Sequence, residues 1–131
     1  MLDRIAHRGR AWNGIHEQGR VILARNYGRA DVGSSVDDTV ATPAGLLSET
    51  AKICYDGEIG NGADLADDLG VTAGPWREER LLLHLYESHG PDMFERMGDA
   101  IFAFVISDGE KLLAARDVLG IKTLFYGRRN G

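Results

Sequence analysis

The apolar run Lys52-Ile53-Cys54-Tyr55 enters Asp56-Gly57-Glu58-Ile59-Gly60-Asn61, a segment that alternates glycines with carboxylates and an amide. Glycine frees the backbone there, and Asp and Asn side chains bond to nearby backbone, so the pattern predicts an exposed turn directly after a strand. Downstream, Asn61 is placed to cap a helix through Ala63-Asp64-Leu65-Ala66-Asp67-Asp68-Leu69, stopped by Gly70. From Trp76 to His89 the residues Leu81, Leu82, Leu83, Leu85 and Tyr86 form a broad apolar stripe that Gly90-Pro91 ends. Asp92 to Met97 gives one further short helix, and strands are predicted at Ile101 to Ser107 and Lys111 to Ala115, joined by Asp108-Gly109. A last strand is predicted at Thr123 to Tyr126. Before the central turn, a short opening helix leads to a strand at Arg20 to Ala24, built on Val21-Ile22-Leu23-Ala24. Strands flanking a helical middle imply an α+β fold, an antiparallel sheet with helices against one face.

A chain of 131 residues with 44% hydrophobic content is sized for one domain with a real core. Its net charge of −5, with arginines dispersed rather than gathered among aromatics, excludes a nucleic-acid module. The longest apolar stretches, Leu81 to Leu83 and Ala100 to Ile106, are far too short to cross a bilayer, and the opening has no apolar signal segment behind it. Cys54 is the only cysteine, which excludes an intrachain disulfide and suits a reducing cytoplasm. His7, His16, His84 and His89 are scattered, His84 in the apolar helix and His16 and His89 on solvated stretches, so no metal site and no cofactor is expected. Gly28 to Ser48, rich in Gly, Ser, Thr and Asp around Pro43, reads either as a segment that closes over a pocket or as a disordered connection.

Four segments in order carry a resemblance: Ile5-Ala6-His7-Arg8-Gly9; Asp56 to Asn61; Ala100-Ile101-Phe102-Ala103-Phe104 to Ser107-Asp108; and Ala115-Arg116-Asp117-Val118-Leu119-Gly120-Ile121-Lys122-Thr123-Leu124-Phe125-Tyr126-Gly127. Together they resemble the class II glutamine amidotransferase domain at the N-terminus of asparagine synthetases. The resemblance implies a single partial domain of this type over residues 1–131, and an incomplete version of the αββα sandwich of N-terminal-nucleophile hydrolases, truncated at both ends. In that family an N-terminal cysteine attacks the glutamine amide while the chain's own α-amine serves as base. This sequence opens Met1-Leu2-Asp3-Arg4, and Leu2 offers neither thiol nor hydroxyl. The first strand, with its cysteine, is expected either to be lost or to lie before a misplaced start. Cys54 is read as a small core residue.

The remaining site positions follow from the same resemblance. The family's oxyanion Asn and Gly correspond to Asp56 and Gly57. Gly57 keeps its N–H, whereas an ionised Asp56 only accepts hydrogen bonds and repels developing negative charge. The plain alternative is that Asp56 is a turn residue. Glu58 and Asn61 match as well and are expected to fix the turn. The Asp that holds the substrate's α-amine maps to Glu78, which otherwise reads as an acidic residue of a solvated first helical turn; the family's Glu two residues later is Arg80. The Arg that grips the α-carboxylate falls on Tyr27 without a gap, or on Arg25 or Arg29 in a shifted register. Asp108 and Asp117 are read as structural, and Thr123 stands where the family has Pro.

The expected function is a glutaminase-type domain related to asparagine synthetase, whose family role is to release ammonia from glutamine for ATP-dependent amide synthesis, inactive here for want of the nucleophile. The alternative is a noncatalytic scaffold or regulatory module for a separately encoded synthetase, as in β-lactam synthetase-like proteins. Glutamine and a synthetase domain or subunit are the implied partners. Exposed sheet edges are expected to favour a homo-oligomer or hetero-complex in the cytoplasm.

Overall fold

The computed structural model describes residues 2–8, 12–27, 48, 50–72, 74 and 77–127. After an opening 3-10 helix, Leu2–Arg8, come strands β1 (Trp12–Gln18), β2 (Val21–Tyr27) and β3 (Lys52–Ile59), then helices α1 (Gly62–Asp68) and α2 (Arg77–His89). A 3-10 turn, Gly90–Glu95, leads to β4 (Ala100–Ser107) and β5 (Leu112–Arg116). Two antiparallel sheets result, β1-β2 and β3-β4-β5, so the fold is α+β. The predicted loop from Gly28 to Ser48 lies outside the described residues except at Ser48.

Several expectations are corrected. β1 was not read as a strand, because Trp12-Asn13-Gly14-Ile15-His16-Glu17-Gln18 has no clean alternation; pairing with β2 makes it one, from Trp12 opposite Tyr27 to Gln18 opposite Val21. Arg20 belongs to the turn between them, where Gly19 takes φ 58°, and not to the strand. The predicted strand at Thr123 to Tyr126 is irregular, with no described strand paired to it, and Phe125 and Tyr126 face solvent.

A further correction concerns the central turn. β3 does not stop at Tyr55 but pairs with β4 through Asp56 opposite Ala103, Gly57 opposite Phe102 and on to Ile59 opposite Ala100. Pairing with an eight-residue apolar partner overrides the local turn preference of Asp and Gly. The chain turns at Gly60 and Asn61 instead, and Asp56 is a strand residue. Asn61 does not cap α1 with its side chain. It bonds Arg96 O at 3.1 Å and Gly98 N–H at 2.9 Å, pinning the approach to β4.

Alternation along β3, β4 and β5 gives the sheet one apolar face: Ile53, Tyr55 and Ile59, then Phe102, Phe104 and Ile106, then Leu113 and Ala115. α2 lies on that face. Leu81, Leu82 and Leu83 are consecutive and all buried, which a helix touching one surface cannot achieve, since consecutive residues are about 100° apart. Leu65, Leu69 and Val71, on and just after α1, cover the remaining side. Phe94, Phe102 and Phe104 stack with centroids 5.3 to 6.3 Å apart and close the end of this core.

Asp117 ties the chain down after β5. Its N–H reaches Phe102 O at 2.8 Å, and its buried carboxylate accepts the N–H groups of Ile121 and Lys122, each at 2.9 Å. Burial alone would raise its pKa, but the Lys122 and Ile121 N–H bonds outweigh it and hold the group below the ordinary carboxylate value. A lowered folded pKa adds stability above the unfolded value and loses it as pH falls through the folded one. Acid titration of the unfolding free energy is therefore expected to be shallower in Asp117→Asn than in the unaltered chain below about pH 4.

Candidate active site

The outer edge of β3 is set by hydrogen-bond parity. Phe102 spends its carbonyl on Asp117, toward β5. In an antiparallel ladder the facing pair Gly57–Phe102 is then the non-hydrogen-bonded, close-spaced kind, and Gly57 turns its N–H and C=O away from β4. The closeness also explains the glycine. A Cβ at position 57 would lie 2.4 Å from Ile101 O and 2.8 Å from Phe102 Cα, and neither backbone atom can move aside.

Ile59 has the same parity, and its outward N–H is taken by Glu78 Oε1 at 3.0 Å. The other oxygen, Glu78 Oε2, accepts the Tyr55 hydroxyl at 3.0 Å. Burial, followed by the Glu78 carboxylate, raises the Tyr55 pKa above its ordinary value, so Tyr55 remains a donor. Glu78 is thus no solvated helix-start residue: it binds the first turn of α2 to the edge of β3.

Its neighbour Glu79 pairs with Arg25 of β2 at 3.0 Å, both side chains largely shielded. Burial still raises the Glu79 pKa against its helix N–H bond and Arg25. Cys54 lies near this pair and is half-buried. Burial, opposed by Arg25 and reinforced by Glu79, pushes its thiol up to about 11. At neutral pH it is protonated and no nucleophile.

On the opposite face of β3, Asp56 Oδ1 accepts Lys122 Nζ at 2.8 Å. Both side chains are partly exposed, so the pair contributes only about 0–1 kcal/mol to stability. Beyond it, a cleft of about 900 Å³ runs between Glu58, Asp99 and Arg116 and the apolar Phe94, Ile101 and Leu119. Asp56, Gly57 and Glu78 do not line it. The site chemistry therefore sits on the strand edge and not in this cleft. Glu58, expected to fix a turn, is an exposed strand residue facing this cleft.

Gly57, Glu78 and Asp56 are thus gathered around four residues of β3, and Arg25 and Glu79 both lie near Cys54 of the same strand. Tyr27 ends β2 opposite Trp12. Arg29 lies outside the described residues. His16, read as solvated, is half-buried, its Nε2 enclosed without a partner. Asp108 is structural as read, accepting the Glu110 and Lys111 N–H groups and the Tyr86 hydroxyl. Sequence reasoning missed the part of Glu79 and of Lys122. No local signal marks either.

A family profile described as a glutamine amidotransferase domain matches residues 1–131. The chain belongs to the glutamine amidotransferase family. Among its relatives, a probable glutamine-hydrolyzing asparagine synthetase of Dictyostelium discoideum is 36% identical over 97% of this chain and 23% of its own length. The asparagine synthetase of Sandersonia aurantiaca is 33% identical over 95% of this chain and 23% of its own, and a root enzyme of that name from Pisum sativum is 32% identical over 95% and 21%. The chain spans about a fifth of the length of these relatives, 21% to 23%. Among the described residues of this amidotransferase domain, no helix is long and apolar enough to cross a membrane.

Two outcomes are expected from the edge geometry of the domain. Gly57→Ala should lower the unfolding free energy in urea by roughly 1–3 kcal/mol, the usual cost of forcing atoms into a packed site. Glu78→Ala leaves the Ile59 N–H and the Tyr55 hydroxyl without their acceptor and should cost about 2–4 kcal/mol in the same measurement. For Cys54, iodoacetamide at neutral pH should give negligible labelling by intact mass in the native protein and full labelling in urea.

Proposed function

We propose that this chain is the amidotransferase-type part of an asparagine-synthetase-like system, and that its glutamine site is non-hydrolytic. Its part is then that of a scaffold or regulatory module for the synthetase domain or subunit. The observation that carries this reading is the ion pair between Asp56 and Lys122, 2.8 Å apart, at the position where the family resemblance calls for an amide donor. An oxyanion needs donors aimed at it, and residue 56 offers only acceptors.

Two further contacts support it. Arg25, a candidate for the substrate's α-carboxylate, is engaged with Glu79. Glu78, the candidate for the α-amine, already bonds Tyr55 and Ile59. A substrate would compete with the protein's own contacts for both groups, which weakens binding on each side.

The hydrolytic reading has one specific observation in its favour. Gly57 turns its N–H outward along the β3 edge, as an oxyanion donor must. One donor of two is a partial hole, and loss of a single oxyanion donor typically costs about 10²–10³ in rate.

Calorimetry with L-glutamine on the purified chain decides between them. Heats indistinguishable from dilution at millimolar ligand are expected, together with no ammonia release above a buffer control. Submillimolar binding, or ammonia release that copurifies with the protein and vanishes in Glu78→Ala, would overturn the non-hydrolytic reading.

A further inference from the structure

Lys122 and the device that holds it are not explained by the amidotransferase reading alone. The turn after β5 is clamped by Asp117, whose two carboxylate oxygens take the N–H groups of Ile121 and Lys122, each at 2.9 Å. Gly120, at φ 69°, lets this turn close; a Cβ there would lie 1.8 Å from Arg116 Nη1. The clamp is in turn tied to β4 through the Asp117 N–H and Phe102 O, at 2.8 Å. What the arrangement delivers is one ammonium group, partly shielded, 2.8 Å from Asp56 Oδ1.

We infer that Lys122 is a lock on the oxyanion side of the site, filling the space that an oxygen bound by residue 56 would need and spending its charge on Asp56. The inference rests on the non-hydrolytic reading and names the residue that enforces it. Its first basis is steric. Oxyanion donors act at about 2.7–3.1 Å from the oxygen they bind, and Nζ already stands at that distance from the end of residue 56. Its second basis is electrostatic. The carboxylate and ammonium cancel, so an approaching anion meets no net attraction, although a cation is held beside residue 56 by the turn that Asp117 clamps.

The lock has a sharp consequence. Neutralising Asp56 leaves a positioned ammonium without its counter-charge, and such a group binds carboxylates. Lys122 is accordingly a positioning residue that decides which charge the site accepts, while the turn held by Asp117 decides where that charge sits.

The test is titration calorimetry with L-glutamate on the unaltered chain, Asp56→Asn, Lys122→Met and the double variant, each at low and raised salt. Asp56→Asn is expected to bind glutamate at least about tenfold more tightly than the unaltered chain, with the gain shrinking as salt screens it. Asp56→Ser removes the same charge and carries the same expectation, should the Asn variant fold poorly. Lys122→Met and the double variant are expected to show no gain. A gain that survives in the double variant overturns the lock, as does the absence of any gain in both charge-neutral variants. Because these results concern glutamate and Lys122, they are separable from glutamine binding to the unaltered chain, which tests the non-hydrolytic reading by itself.

Discussion

The close pairing of Gly57 with Phe102 is the constraint from which the rest of the site follows. Phe102 must face the core, because its ring stacks with those of Phe94 and Phe104. It must also present its carbonyl to Asp117. With both demands met, its partner on β3 falls in a close, non-hydrogen-bonded pair where only glycine fits, and the N–H of that glycine is turned outward. Core packing thus dictates backbone chemistry at the strand edge. Ile59, two residues on, inherits the same outward orientation, and Glu78 satisfies it.

Two carboxylates in this region accept backbone N–H groups, and for the same reason. Asp117 and Glu78 each sit where the chain leaves regular pairing, so N–H groups that a sheet or helix would have satisfied need another acceptor. Glu78 closes the edge of β3, while Asp117 closes the turn after β5 and so carries Lys122 to Asp56. Removing the charge of either leaves donors unmet, which is a larger effect than the modest strength of any single ion pair on this surface.

Much of the α+β layout was legible from local pattern. The stripe from Leu81 to Tyr86, ended by Gly90-Pro91, marks α2, and the apolar run from Ala100 to Ser107 marks β4, because burial on one side imposes its period on the residues. β1 was not legible, since Gly14, His16 and Gln18 carry no strand signal until β2 pairs with them. The strand expected at Thr123 to Tyr126 shows the converse: β-branched and aromatic residues make a strand only where a partner is present. Asp56 and Gly57 looked like a turn because their preferences are local, and the β4 ladder outweighed them.

By itself the sequence determined the family, through segments whose order and spacing span the chain, and with it the candidate positions Asp56, Gly57 and Glu78. It also determined that position 56 carries an acceptor where an amide donor was implied. Tertiary structure alone decided what those groups touch. Arg25 meets Glu79 across 54 positions of sequence, and Lys122 meets Asp56 across 66. The first arises where β2 meets the long helix and the second from the register of β3 on β4 and the turn that Asp117 holds, and no local spacing of residues encodes either.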